Sequence, residues 1–161
     1  MAVDHAGLSL QERYASHSVC FGCGPANEQG LRIRSFLDSD GRSVVGEWIA
    51  ASPHLEAFSG MLNGGIIGAL LDCHSNWTAA QHLMARRGAQ RPPATVTSEL
   101  AVSFRRPTPS TDPVRLRAQV VDATDDRATV EATLSSRGKV TATSRATFIA
   151  VTEGHPAFDR W

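Results

Sequence analysis

Asn63-Gly64-Gly65-Ile66-Ile67-Gly68-Ala69-Leu70-Leu71-Asp72 opens the longest helical pattern in the chain. Ile66, Leu70, Cys73, Trp77, Ala80 and Met84 recur at helical spacing, and Ile67 and Leu71 widen the stripe. Asn63 suits the N-cap, where its side chain accepts an N–H of the first turn. Gly88 stops the pattern and Pro92-Pro93 prevent its return, so a helix is predicted from about Gly64 to Arg87. A helix this apolar must be enclosed, which requires a sheet curled around it.

Strand patterns lie on both sides. Leu31 to Leu37 and Arg42 to Ala50 read as a hairpin around Asp38-Ser-Asp-Gly41. Residues 51–62 read as a loop with a helical turn near His54 to Phe58. After the helix, period-two alternation marks four strands: Ser98 to Phe104, Val114 to Val120, Ala128 to Leu134 and Val140 to Ala150. Two strands, one helix and four strands make an α+β layer, a single domain over 31–152. Residues 1–30 read as irregular, with a short helix near Leu8 to Tyr14, and 153–161 as a loose tail.

With 16 basic and 16 acidic residues the net charge is zero, which points away from nucleic acid and acidic membrane surfaces. No apolar run is long enough to span a membrane, and Met1 to Ser18 does not resemble a signal peptide, so a cytoplasmic protein is expected. Cys20 and Cys23 form a lone C-x-x-C in a Gly- and Pro-containing loop. A zinc site would need further ligands from His17, Cys73, His74 or a second chain. A tight loop packing two small thiols is the preferred reading, with neither metal nor organic cofactor expected.

The chemistry centres on Asp72. Its helical neighbours are Gly68, Ala69, Ser75 and Asn76, all small or polar, so a carboxylate there is reachable. Each helix-interior glycine costs roughly 1 kcal/mol relative to Ala, which suggests a close approach by a partner helix or a substrate. The N–H groups of a helix start suit an oxyanion. Gly64 and Asp72 lie roughly 12 Å apart along one helix, too far to act on one carbonyl, so the two groups should come from different chains of a two-fold dimer. Cys73 and His74 are adjacent on the helix and cannot face each other as a nucleophile pair.

Three blocks carry a family resemblance: Cys20-Phe-Gly-Cys-Gly-Pro-Ala-Asn27 with Gly30-Leu31-Arg32, then Gly60 to Asp72, then Thr97 to Pro107. In this order they resemble the hotdog-fold acyl-CoA thioesterases, in the PaaI-like branch that includes mammalian thioesterase superfamily members. The resemblance implies one helix wrapped by a curved antiparallel sheet of five to six strands, joined to a second copy as a homodimer or a dimer-of-dimers tetramer. It implies Asp72 as general base or nucleophile on an acyl thioester, with Gly64 and adjacent Gly65 at the oxyanion and Thr97 assisting the water. Asn63 stands where the family usually has histidine; it still caps and donates a hydrogen bond but does not titrate near neutrality. The Asp72–Thr97 connection is longer than usual, which implies a longer helix or a lid.

Thr97 is out of phase with Leu100, Val102 and Phe104, so a regular strand would turn it away from the core, and a bulge or the strand start would bring it back. Phe58, Trp48 and Trp77 are candidates to shape an acyl pocket, Phe58 being preferred. Arg105 and Arg106 are the first candidates for coenzyme A phosphates, ahead of Arg137 and Lys139, and Asn76 completes the substrate-binding set. The alternatives are a non-catalytic acyl-CoA-binding protein, or a dehydratase or hydratase on the same fold; the latter usually needs a histidine with a carboxylate.

Overall fold

The computed structural model describes residues 7–161. Helix α1 (Leu10–Tyr14) begins at a capping box in which Ser9 and Glu12 satisfy each other's backbone N–H. Strands β1 (Phe36–Leu37) and β2 (Val44–Trp48) follow, then the short pair β3 (Glu56–Phe58) and β4 (Met61–Leu62). Helix α2 (Gly64–Arg86) precedes β5 (Thr95–Phe104), β6 (Val114–Ala123), β7 (Arg127–Ser136) and β8 (Lys139–Ala150). The order β1-β2-β6-β7-β8-β5 makes one six-stranded antiparallel sheet against α2, the expected α+β hotdog architecture.

Both ends of α2 follow from sequence. Asn63 Oδ1 accepts the Gly65 N–H at 2.7 Å. At the far end Gly88 takes a positive φ of 62°, and the Ala89 N–H reaches back to Met84 O at 3.0 Å. That is a Schellman closure, which favours glycine at the left-handed position. The longer connection is taken up as helix, which runs 23 residues.

The buried face of α2 differs from the expected stripe. Ile66 and Cys73 are only half-buried, whereas His74, Ser75, Thr78 and Ala79 are enclosed with Ile67, Leu70, Leu71 and Trp77. Polar residues occupy this face because most find partners. His74 Nε2 meets Val44 O at 3.0 Å, its Nδ1 meets Ser35 Oγ at 2.9 Å, and Gln11 bonds Ser35 through both amide atoms. A carbonyl only accepts, so the proton sits on Nε2 and Nδ1 accepts from Ser35. Burial pushes His74 down to about 4, and it stays neutral.

Three local expectations are corrected. Of Leu31 to Leu37 only Phe36–Leu37 joins the sheet, because the Leu31 and Ile33 N–H groups bond Phe21 O and Gly22 O in the cysteine loop. The turn near His54 is a 3-10 turn at Pro53–Leu55, and Glu56–Phe58 continues as a strand against β4. The tail packs: Trp161 stacks on Trp77 with ring centroids 4.4 Å apart, and Arg160 Nη1 reaches Thr95 O at 3.2 Å. No helix among the described residues is long and apolar enough to cross a membrane.

Candidate active site

Strand β5 runs alongside α2 in the opposite direction. Thr95 Oγ1 donates to Asn76 Oδ1, Thr97 Oγ1 donates to Asp72 Oδ1 at 2.8 Å, and Phe104 lies against Gly64. A β-bulge makes this possible. The register slips between Thr97 and Glu99, so Thr97 pairs with Phe148 and Leu100 with Ala146, both inward-facing and buried. The extra residue restores phase, which puts Thr97 on the helix side despite its odd spacing from Leu100. Of the two readings of Thr97, the bulge is the one found, and the outward turn of a regular strand is not.

Asp72 is half-buried. Desolvation raises its carboxyl above the ordinary Asp range; the Thr97 hydroxyl counters this, the nearby Cys20 sulfur adds to it, and the Arg160 guanidinium lowers it again. The helical surroundings of Asp72 divide into two sides. A Cβ built at Gly68 would meet nothing within 4 Å, and one at Gly65 only the Asn63 amide oxygen. Ser75 and Asn76 are turned inward, so Asn76 faces Thr95 and does not line the open side.

At the helix start the Gly65 N–H is taken by Asn63, whereas Gly64 N–H has no acceptor among the described residues. A cleft of about 370 Å³ opens there, lined by Phe58, Gly64, Phe104, Arg105 and Arg106. Phe58 is 62% exposed and Phe104 57%, two large apolar side chains in one cleft with Arg105 and with Arg106, whose Nε donates to Val140 O at 3.3 Å. Four of the predicted residues thus meet in one cleft, and Asp72 with Thr97 forms a second group further along the helix. Trp48 does not contribute: it is buried, with Nε1 donating to Leu31 O at 2.7 Å. Trp77 is likewise core, and Arg137 is paired with Asp112. A larger cleft of about 480 Å³ lies across β5 to β8 and holds none of these groups.

Sequence reasoning missed Arg160 and Thr95. Arg160 sits in an aperiodic tail with no pattern to place it, and Thr95 precedes the alternation that marks the strand. Cys20 was visible as a motif but not as a neighbour of Asp72.

The family model described as the thioesterase-like superfamily matches residues 48–156, which contain both the cleft and Asp72. The chain belongs to the thioesterase-like superfamily. Among solved structures, this superfamily member is similar to the E. coli PaaI protein of the phenylacetic acid degradation operon, at 17% identity and TM-score 0.62 over 76% of this chain and 81% of that one. It is similar to zebrafish thioesterase superfamily member 2, at 19% identity and TM-score 0.62 over 78% and 90% of the two chains. It is also similar to the BH2602 protein of Bacillus halodurans, crystallised with CoA, at 25% identity and TM-score 0.61 over 76% of each chain. These likenesses carry the PaaI-like hotdog fold. No functionally curated protein is significantly similar in sequence.

Proposed function

We propose that the chain hydrolyses an acyl-CoA, or a related acyl thioester, to free acid and thiol, and that it does so as a homodimer. The observation that carries this reading is the placement of Asp72: a half-buried carboxylate, held by Thr97, one helical turn from Gly68, where an added Cβ would meet nothing within 4 Å among the described residues.

Strand β5 is the edge of the sheet and is ten residues long, with Leu100 37% exposed. A long uncovered edge is a template for pairing with another strand. Two copies joined antiparallel along β5 would continue the sheet and lay the two α2 helices side by side. The start of one helix would then face the middle of the other, which the roughly 12 Å between Gly64 and Asp72 requires.

In that arrangement Asp72 takes a proton from water as the water oxygen bonds to the thioester carbonyl carbon, or attacks that carbon itself to form an anhydride that a water then opens to free acid and carboxylate. The partner subunit's Gly64 N–H, uncapped by Asn63, donates to the developing oxyanion. As the oxyanion collapses the C–S bond breaks, and the thiolate leaves and takes up the proton released in the reaction. Arg105 and Arg106 at the cleft give a phosphate-bearing carrier somewhere to rest, and the CoA-bound relative supports that class of carrier.

The test is thiol release from a panel of acyl-CoAs. Wild type releases thiol. Asp72→Asn loses roughly 100- to 10,000-fold in kcat/KM with its thermal midpoint unchanged. Full activity in Asp72→Ala overturns the assignment. Tight acyl-CoA binding without release by the wild type would favour the non-catalytic module, a reading supported by Asn63, whose amide is turned back into its own cap.

A further inference from the structure

We propose that Cys20, Cys23 and Cys73 form a three-thiolate site for one thiophilic divalent cation of the zinc class, which pins the N-terminal loop to helix α2. The three sulfurs lie within 4.8 Å of one another, and Cys20 Sγ and Cys73 Sγ are 3.9 Å apart. Zinc–sulfur bonds of about 2.3 Å at tetrahedral angles set sulfurs about 3.8 Å apart, so the triangle needs to close by little.

The loop is built around the sulfurs. A Cβ at Gly22 would sit 2.3 Å from Cys73 Sγ, so only glycine lets the third thiol approach. A Cβ at Gly24 would collide with the Cys20 backbone at 2.4 Å, and Gly24 N–H closes the turn on Cys20 O at 2.9 Å. Trp77 Nε1 donates to Cys23 Sγ at 3.4 Å, the outer-shell contact that orients a ligating thiolate.

A dication bound to three thiolates leaves the cluster at net −1, and each thiol that becomes a ligand gives up its proton. The fourth position falls to water or another small ligand, since His74 is committed to Ser35 and Val44. Three sulfurs select a soft or borderline cation over calcium or magnesium.

The experiment uses the full chain, reduced, stripped with chelator and freed of it. Expected are one Zn²⁺ bound per chain, protons released as the ion binds, and a sulfur-to-cobalt charge-transfer band with Co²⁺. Cys73→Ser should weaken binding by more than about 100-fold, beyond what loss of an outer-shell contact costs. The cobalt spectrum of the unmutated chain needs no variant to fold. Absence of that band, or Zn²⁺ affinity unchanged by Cys73→Ser or equal in a chain with all three cysteines changed to serine, overturns the proposal. So does a stable disulfide among the three in protein purified without reductant, if the reduced chain then binds no metal. None of these readouts depends on thioester hydrolysis.

Discussion

Asp72 and His74 stand two positions apart on α2 and face opposite sides of it. His74 is fully enclosed and every polar atom of its ring is paired; it is neutral. Asp72 is half-buried, has one hydrogen bond from Thr97, and lies beside open glycine surface. The first is a polar group used to fix a core, the second a polar group held short of satisfaction. A histidine near a carboxylate suggests acid–base chemistry, yet the network commits this one to structure. The contrast teaches that polarity on a helix face does not locate function; unmet hydrogen-bonding capacity beside free space does.

The largest effects should separate the two. His74→Ala leaves the Val44 carbonyl and Ser35 without partners and opens a void, and should cost about 3–5 kcal/mol in denaturant unfolding. Asp72→Ala should leave stability within about 1 kcal/mol of wild type while removing thiol release. A stable, folded His74→Ala chain with an unchanged midpoint would break the distinction.

Acid should sharpen it next. An unfolded chain takes up a proton at His74 as pH falls through about 6.5, but the folded chain resists until about 4. The folded pKa is depressed, so this contribution is complete above about pH 6.5 and is lost as pH falls toward 4, by about 3 kcal/mol over the interval. His74→Gln cannot titrate. Thermal midpoints followed from pH 7 to 4 should slope less steeply in His74→Gln than in wild type, and parallel slopes would refute the neutral buried assignment.

The open side is tested by filling it. The Cβ of Gly68→Leu would meet nothing within 4 Å among the described residues and leucine gains helix propensity, so the isolated subunit should not be destabilised. If a second copy covers that face, overpacking of about 1–3 kcal/mol weakens association by about 10- to 100-fold. Sedimentation at a series of concentrations reads this, and unchanged association with full activity would remove the glycine face from the interface.

Much of this was legible in the sequence. The α2 cap, its Gly88 stop and the four later strands follow from spacing and turn chemistry, and the opening decapeptide with its carboxylate led directly to the site. What spacing hid was phase and depth. Thr97 looked outward because alternation assumes one residue per step, and the bulge before Glu99 inserts one more. His74 and Thr78 interrupted the apolar stripe because pattern reading scores side chains singly, whereas burial depends on partners from residues 11, 35 and 44. Trp161 and Arg160 had no periodicity to announce that the tail returns to Trp77 and Thr95.

Thr97 gives the smallest and sharpest contrast within the open side itself. Its hydroxyl donates to Asp72 Oδ1, which favours the ionised carboxylate against the desolvation that raises its pKa. Thr97→Val keeps the β-branched shape on the strand and removes only the donor. A base must be ionised to act, so the acid limb of kcat/KM should move to higher pH in Thr97→Val. Loss of one hydrogen bond to a charged group is worth about 1.5–3 kcal/mol, so activity below the limb should fall by about 10-fold or more. Well above the limb Asp72 is ionised in both proteins and the difference should shrink to what water positioning contributes. A uniform loss at every pH, with the limb unmoved, would show that Thr97 orients water without tuning Asp72; a shift to lower pH would contradict the hydrogen bond's direction.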